Sequence, residues 1–415
     1  MEPSHLLKYL EDNYPISPQQ FDSLQYKITE HFYFFGNHFR NPRELSKQEH
    51  NLSIRKHLRD LFILFKIVNR SKIQNNKKTI LSSSYFSVNN ELKKLEYNVY
   101  CPSWGITEDR DVLTSFKILK ASNNIIKQFS TQSFNELLDK DFLAELVSFE
   151  KMLKAFFVNN KINSVVVPAD VEYFSNISIR VSKEINIPSF IFLHGLPHAI
   201  KNCDYNRSDY LIVWGNRTKE HYIRNGMDAN KIFVSGHPSF KSFKEQELKF
   251  DFDNIVVLTK SVSGTDFGDR ANSILYLHSV EKILKKNGIK NAKVRPHPGE
   301  NPNWYMNFIN TDFYKIDTDK NIKNASLVIG PTSSVFLESI YYGINYIVYE
   351  PIVNNLDFTG CMLLSPFDGS DEKVPVANTE NEFDYIMRNK IRVDSSCFSE
   401  YCKVSFDMSF IKKLI

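Results

Sequence analysis

The feature that most constrains this chain is a rhythm of short, wholly apolar runs that stop at polar, Gly or Pro residues. Stretches with helical spacing lie between them. Val165-Val166-Val167-Pro168, Ile255-Val256-Val257-Leu258 and Tyr346-Ile347-Val348-Tyr349 set the pattern. A strand with one wet face alternates apolar and polar residues, whereas a parallel strand covered by helices on both faces reads as an unbroken apolar run. The pattern therefore predicts an α/β architecture.

Thr79-Ile80-Leu81, the serine turn Ser82-Ser83-Ser84, a helical stretch over 88–95 and a strand over 97–100 compose one βαβ unit. After a helical region over about 112–158, strands are expected at 164–168, 189–193, 210–214 and 232–234, with helices over 177–185 and 218–225. A second series follows the polar link 241–253: strands at 255–258, 292–294, 313–316, 327–329 and 346–349, and helices over 271–286, 304–309 and 334–342. Gly288 and Gly343 stand where C-terminal helix caps belong. With 415 residues and roughly 100–200 residues per domain, two domains are expected. The division is a helical lead-in over 1–75, a first Rossmann-like domain over 76–245, a second over 246–395, and a tail over 396–415 that packs back across both.

Composition excludes several classes. Hydrophobic residues make up 42% and charged residues 24%, a globular balance. Lys plus Arg (52) against Asp plus Glu (48) leaves +4, and the basic residues are scattered, so no electrostatic footprint for nucleic acid is present. No apolar stretch approaches the roughly 18–20 residues of a membrane span. Met1-Glu2-Pro3-Ser4-His5 lacks the character of a secretory signal, so a cytoplasmic location is expected. Cys101, Cys203, Cys361, Cys397 and Cys402 are odd in number and widely spaced, against both a disulfide framework and a zinc ribbon.

In open parallel sheets ligands bind beyond the carboxyl ends of the strands, so the residues closing each strand are the candidates. Thr259-Lys260-Ser261-Val262-Ser263-Gly264-Thr265 offers hydroxyls and a lysine to a phosphate, without Walker spacing; the plain alternative is a turn with a solvated lysine. Arg295-Pro296-His297-Pro298-Gly299-Glu300 holds an arginine and an imidazole on a stiff segment at the same edge. Gly330-Pro331-Thr332-Ser333-Ser334 opens a helix whose amides suit an anion, although Thr332 or Ser333 as a simple N-cap gives the same residue types. Glu338, one turn on, is placed either to reach a ribose hydroxyl or to be solvated.

In the first domain Asp170-Val171-Glu172 follows one strand and His194-Gly195-Leu196-Pro197-His198 the next. Asp170, Glu172 and His194 are the catalytic candidates, a carboxylate serving as general base unless Asp170 merely caps the following helix. His194, His198 and Cys203 invite a metal reading, but Gly195 and Pro197 interrupt the helical i,i+4 face common to paired zinc histidines. Trp214-Gly215 and Gly236-His237-Pro238 close two further strands and are candidates to line a cleft between the domains.

In order, His194-Gly195-Leu196-Pro197, Trp214-Gly215, Gly236-His237-Pro238, Arg295-Pro296-His297-Pro298 and Pro331-Thr332-Ser333-Ser334 resemble the motif series of GT-B-fold glycosyltransferases that build bacterial surface polysaccharides. Capsule-type Kdo transferases and bacterial sialyl- and polysialyltransferases are the nearest group, over roughly residues 160–350. The resemblance implies GT-B architecture, two Rossmann-like domains facing across a cleft, the first for the acceptor and the second for the nucleotide-sugar. It implies that His297, Ser333 and Ser334 hold the phosphate and nucleotide of a CMP-sugar. Those sialyltransferases carry the base in an acidic D/E-D/E-G motif that has no good counterpart here; Asp170-Val171-Glu172 replaces it on position alone.

The expected activity is inverting, metal-independent transfer of a sialic acid, or a related nonulosonic or Kdo-type sugar, from its CMP donor to a glycan or glycolipid acceptor in lipopolysaccharide or capsule synthesis. Lys260, Arg295, His297 and the serine-capped helix would stabilise the departing phosphate. Polyol-phosphate transferases of teichoic-acid synthesis, which use CDP-glycerol, share the outline and are the competing resemblance. A UDP-sugar transferase and a non-catalytic nucleotide-sugar-binding protein are also compatible with the same strand-closing residues. The basic, amphipathic end Phe410-Ile411-Lys412-Lys413-Leu414-Ile415 is expected to pack across the domains, or else to touch the inner membrane surface.

Overall fold

The computed structural model describes residues 8–10, 12–14, 16–33, 76–84, 86–102, 104–105, 116–131, 134–196, 207–260, 270–297, 300, 302–319, 321–352 and 363–415. The apolar positions 58–65 of the helical lead-in lie outside the described residues; helix α1 (Pro18–Tyr33) is the described part of that region.

The first domain is a parallel sheet of β1 (Thr79–Ser82), β2 (Asn98–Tyr100), β3 (Ile162–Val167), β4 (Ser189–Phe192), β5 (Tyr210–Val213) and β6 (Ile232–Val234), in the order β2-β1-β3-β4-β5-β6. Its helices are α2 (Phe86–Lys94), α3 (Phe116–Thr131), α4 (Lys140–Asn159), α5 (Tyr173–Glu184) and α6 (Asn216–Arg224). The second domain holds β7 (Ile255–Leu258), β8 (Ala292–Arg295), β9 (Tyr314–Ile316), β10 (Leu327–Gly330), β11 (Tyr346–Tyr349) and β12 (Val376–Ala377), in the order β12-β11-β10-β7-β8-β9, again all parallel. Helices α7 (Arg270–Lys286), α8 (Pro302–Met306), α9 (Val335–Tyr341) and α10 (Glu380–Asn389) connect or flank these strands. Numbered from its own first strand, the second sheet runs 6-5-4-1-2-3, the dinucleotide-fold order. These are two Rossmann-like α/β domains, the GT-B architecture that the sequence led us to expect.

Side-chain alternation explains why the strands read as unbroken apolar runs. Val165 and Val167 join one core cluster with α3, α4 and α5, while Val166 faces another. In the second domain Ile255 and Val257 pack beneath α7 and α10, and Val256 and Leu258 turn the other way. Burying such a side chain on either face contributes roughly 1.5–3 kcal/mol, so both faces need cover. Gly288 and Gly343 adopt φ of 78° and 72°, as helix-ending glycines do.

The inward faces of both sheets belong to a single apolar cluster that also contains Phe398, Tyr401, Cys402, Met408 and Ile411. These last residues belong to the C-terminal segment, with helices α11 (Phe398–Tyr401) and α12 (Ile411–Leu414). It crosses the carboxyl ends of β5 and β6 by main-chain hydrogen bonds: the Lys403 amide donates to the Trp214 carbonyl and the Asp407 amide to the Ser235 carbonyl, each at 2.8 Å. The glycines there permit that approach. A Cβ on Gly215 would fall 2.3 Å from the Tyr401 carbonyl carbon, and one on Gly236 2.6 Å from the Lys403 oxygen. These two strand ends, read from sequence as cleft lining, are thus the seat of the C-terminal segment. Glu400 ties it to both domains, accepting from Arg217 Nε at 2.7 Å and Lys373 Nζ at 2.6 Å.

Among the described residues no helix is long and apolar enough to cross a membrane. Cys101, Cys397 and Cys402 are buried and form no disulfide.

Candidate functional site

Strand order fixes where each sheet leaves a crevice. In the second sheet β7 pairs with β8 on one side and β10 on the other, so the connections leave β7 and β10 in opposite directions and their carboxyl ends stay uncovered. Thr259-Lys260 follows β7, Thr332 follows β10, and Glu350 follows β11. Glu350 is fully buried, and its Oε1 accepts from the Thr332 hydroxyl at 2.8 Å and the Thr332 amide at 3.2 Å. Lys260 Nζ stands 3.6 Å from the same oxygen.

A second carboxylate organises the next strand end. Glu300 is buried; it accepts from the His297 amide at 2.9 Å, from Tyr305 Oη at 2.6 Å and from the Thr259 hydroxyl. The His297 amide also approaches Thr259 Oγ1 at 3.0 Å. The loops after β7 and β8 are therefore bound together, with the His297 side chain exposed at the carboxyl edge. Arg295 commits Nε to Asp317 at 2.7 Å and Nη2 to both Asp317 and the Asn321 carbonyl, so much of its charge is already balanced. Glu338 faces this arginine. Desolvation raises its carboxyl above the ordinary range, while the Ile322 amide and the Arg295 charge oppose the rise.

The opening of α9 is less of an anion cradle than its residues suggested. Ser333 Oγ takes the Val335 amide at 3.2 Å, and the Phe336 and Leu337 amides bond the Ser333 and Ser334 carbonyls at 3.1 Å each, which leaves few spare donors. Thr332 serves Glu350 rather than the helix, and Ser334 makes no side-chain cap. Ser261, Ser263, Gly264 and Pro298 lie outside the described residues.

In the first domain the three catalytic candidates separate. Asp170 has no exposed surface; its Oδ2 accepts the Arg207 amide at 3.2 Å and lies 3.7 Å from Arg207 Nη1. Arg207 also binds Asp22 of α1, at 2.8 Å through Nη2. So enclosed a carboxylate also suits an anchor that ties the end of β3 to α1, a role set beside the general-base expectation for Asp170. Glu172 is exposed and begins α5 without capping it.

His194 follows β4, with Nδ1 3.4 Å from the Pro168 carbonyl. His194 is exposed, and partial desolvation by the protein around its ring pulls its pKa below the ordinary 6.5, against the weaker pull of that carbonyl. A carbonyl can only accept, so the neutral ring carries its proton on Nδ1 and leaves Nε2 as a base.

His198 and Cys203 lie outside the described residues, and among those described no group of three or more His, Cys, Asp or Glu side chains is placed to hold a metal ion. The residues that sequence reasoning missed are Glu350, Glu300 as a brace, and Arg207. Glu350 was within reach, since it ends an apolar strand as Tyr349-Glu350-Pro351. Arg207 had no local signal, because its partners are distant in sequence.

No family model matches the sequence, and no curated protein does. Among solved structures the chain is similar to S. aureus MnaA with UDP, at 11% identity and TM-score 0.48 over 81% of this chain and 94% of that one. It is similar to UDP-GlcNAc 2-epimerase of Neisseria meningitidis bound to UDP-GlcNAc, at 10% identity and TM-score 0.45 over 81% and 98%. Acinetobacter baumannii MurG gives 9% identity and TM-score 0.45 over the same shares.

Proposed function

We propose that this chain is a glycosyltransferase that holds a nucleotide-sugar at the carboxyl edge of the second sheet and passes the sugar to a glycan hydroxyl at the edge of the first. The observation that carries the reading is His194, kept neutral by desolvation and turned by the Pro168 carbonyl so that Nε2 is basic. Support comes from the other sheet, where the dinucleotide-fold order leaves Lys260 and Thr332 at the crevice.

In this scheme His194 Nε2 takes the proton of the acceptor hydroxyl as its oxygen bonds the anomeric carbon. The bond from that carbon to the nucleotide phosphate breaks, and the charge left on phosphate meets Lys260, His297 and the Ser333-Ser334 hydroxyls. One displacement inverts the anomeric centre. Arg295 shapes the loop through Asp317. Cationic side chains stand where other transferases use a divalent ion.

The finer reading, a CMP-linked sialic acid or Kdo-type sugar delivered to a bacterial surface glycan or glycolipid near the inner membrane face, rests on the motif resemblance. A nucleotide panel tests it: melting shifts with CMP, CDP, UMP, UDP, GDP and ADP, with and without magnesium. CMP as the strongest, metal-independent ligand supports the donor. Preference for UDP moves the donor to a UDP-sugar, cleavage of CDP-glycerol with indifference to CMP-sugars makes the chain a polyol-phosphate transferase, and no shift with any nucleotide overturns the proposal.

A further inference from the structure

The contact between His194 Nδ1 and the Pro168 carbonyl is long, 3.4 Å against the roughly 2.7–3.2 Å usual for N–H···O. Such a contact orients a ring weakly, so the place of the imidazole depends on the backbone that carries it. Leu193 lies one residue beyond Phe192, the last residue of β4 paired with β5. Its amide donates to the Ile212 carbonyl at 2.9 Å, and its carbonyl accepts from the Trp214 indole Nε1 at 2.8 Å. That carbonyl belongs to the peptide bond joining Leu193 to His194. Because a peptide is planar, whatever holds its oxygen also holds the His194 nitrogen and Cα.

The indole is itself fixed on several sides. Trp214 is 4% exposed and joins the apolar cluster shared by both sheets. The His237 ring lies against it with centroids 4.4 Å apart, and His237 Nδ1 in turn accepts from the Ser239 amide at 3.3 Å. The Trp214 carbonyl accepts two amides, from Gly236 at 3.1 Å and from Lys403 at 2.8 Å. The C-terminal segment is therefore one of the supports of Trp214. Packing alone does not ask for tryptophan at this position. A Phe would also bury an aromatic ring, but only the indole brings an N–H to the Leu193 oxygen.

On the reading in which His194 is the general base, we propose that Trp214 is its positioning residue, holding the Leu193–His194 peptide through the indole N–H so that His194 Nε2 keeps its aim. Buried as it is, Trp214 touches neither substrate nor the reacting atoms. It acts through the backbone of its neighbour, and the end of β5 thereby governs a side chain at the end of β4.

The test is long-range proton–nitrogen NMR of the full chain with isotope-labelled histidine and tryptophan, the His194 signals being assigned with His194→Gln. It reads the ring directly and requires no donor or acceptor. In the wild type the Nδ1–H tautomer of His194 is expected to dominate. Trp214→Phe should raise the minor Nε2–H tautomer about tenfold, roughly 1.4 kcal/mol, and move the titration midpoint up toward 6.5 as the loosened ring meets more water. Val213→Ala, which trims the opposite face of the same strand, should lower the melting temperature and leave the His194 signals in place. If Trp214→Phe does not fold, the wild type still decides. The Trp214 indole signal, assigned by elimination with Trp104→Phe and Trp304→Phe, should shift at the His194 midpoint, separately from the step at about 4 where His237 protonates.

A wild type that carries the proton on Nε2 overturns the His194 reading, and this proposal with it. A wild type on Nδ1 whose tautomer and midpoint survive Trp214→Phe, or change as much in Val213→Ala, overturns the positioning role alone. So does an indole signal indifferent to the His194 step.

Discussion

Lys260 and Glu350 meet at 3.6 Å over the end of β10, a buried cation from the strand on one side of it facing a buried carboxylate from the strand on the other. Thr332, which leaves β10 itself, donates twice to the same carboxylate. The lysine proposed to receive phosphate is thus held by a competitor for its charge. Glu350→Gln should lower the melting temperature yet increase the nucleotide-induced shift at pH 7, since Lys260 then meets phosphate unopposed. Lys260→Met should abolish that shift and destabilise by about 3–5 kcal/mol, the usual cost of stranding one member of a buried pair. Equal nucleotide shifts in all three proteins would place the phosphate elsewhere.

His194→Gln is expected to keep the nucleotide shift and lose roughly 10²–10⁴-fold in turnover, the usual worth of a general base. The pH profile carries a sign as well. Desolvation holds the imidazole below its ordinary 6.5, so the basic form persists on mild acidification. The acid limb of kcat/KM in the wild type should have its midpoint below 6.5; a midpoint above that value assigns the limb to another group.

The central strands were legible because they are buried on both faces, which leaves no polar residue inside runs such as Tyr210–Val213 or Ile255–Leu258. Gly288 and Gly343 were legible because a left-handed backbone position selects glycine locally. β12 was not: two residues carry no periodicity. The candidate site divides in the same way. His194, His297 and Lys260 announce themselves as strand-closing residues, whereas the burial of Asp170 depends on Arg207 and Asp22, brought together only by the tertiary fold. Gly215 and Gly236 were read as cleft lining, because the segment that covers them comes from residues 401–407 and leaves no local signal beside them.

Asp170→Asn separates anchor from base. An anchor predicts a loss of about 3–5 kcal/mol, because Arg207 loses its buried counter-charge, with turnover per folded molecule kept within a few-fold. Calorimetry and an assay at about 10 °C below the variant's own melting temperature, about three times the shift expected from 1 kcal/mol in a domain of this size, distinguish the two. Loss of turnover with unchanged melting would restore Asp170 as the base.

Gly215→Ala places a methyl 2.3–2.5 Å from the Tyr401 and Glu400 main chain, where no side chain can rotate away. The C-terminal segment must lift, taking with it the Phe398 and Tyr401 packing and the Glu400 bridge between Arg217 and Lys373. A drop of several degrees in melting temperature is expected, together with new tryptic cleavage at Lys403. An unchanged digest would show that the segment is held elsewhere.

That seating has a consequence for biogenesis. The carboxyl ends of β5 and β6 are finished by residues 403–407, which a ribosome makes only after every strand of the second sheet has been synthesised. At about 5–20 residues per second, the first sheet waits many seconds with Trp214 and its neighbours uncapped. The first sheet is thus finished by residues translated after the second sheet, so the two domains are completed together.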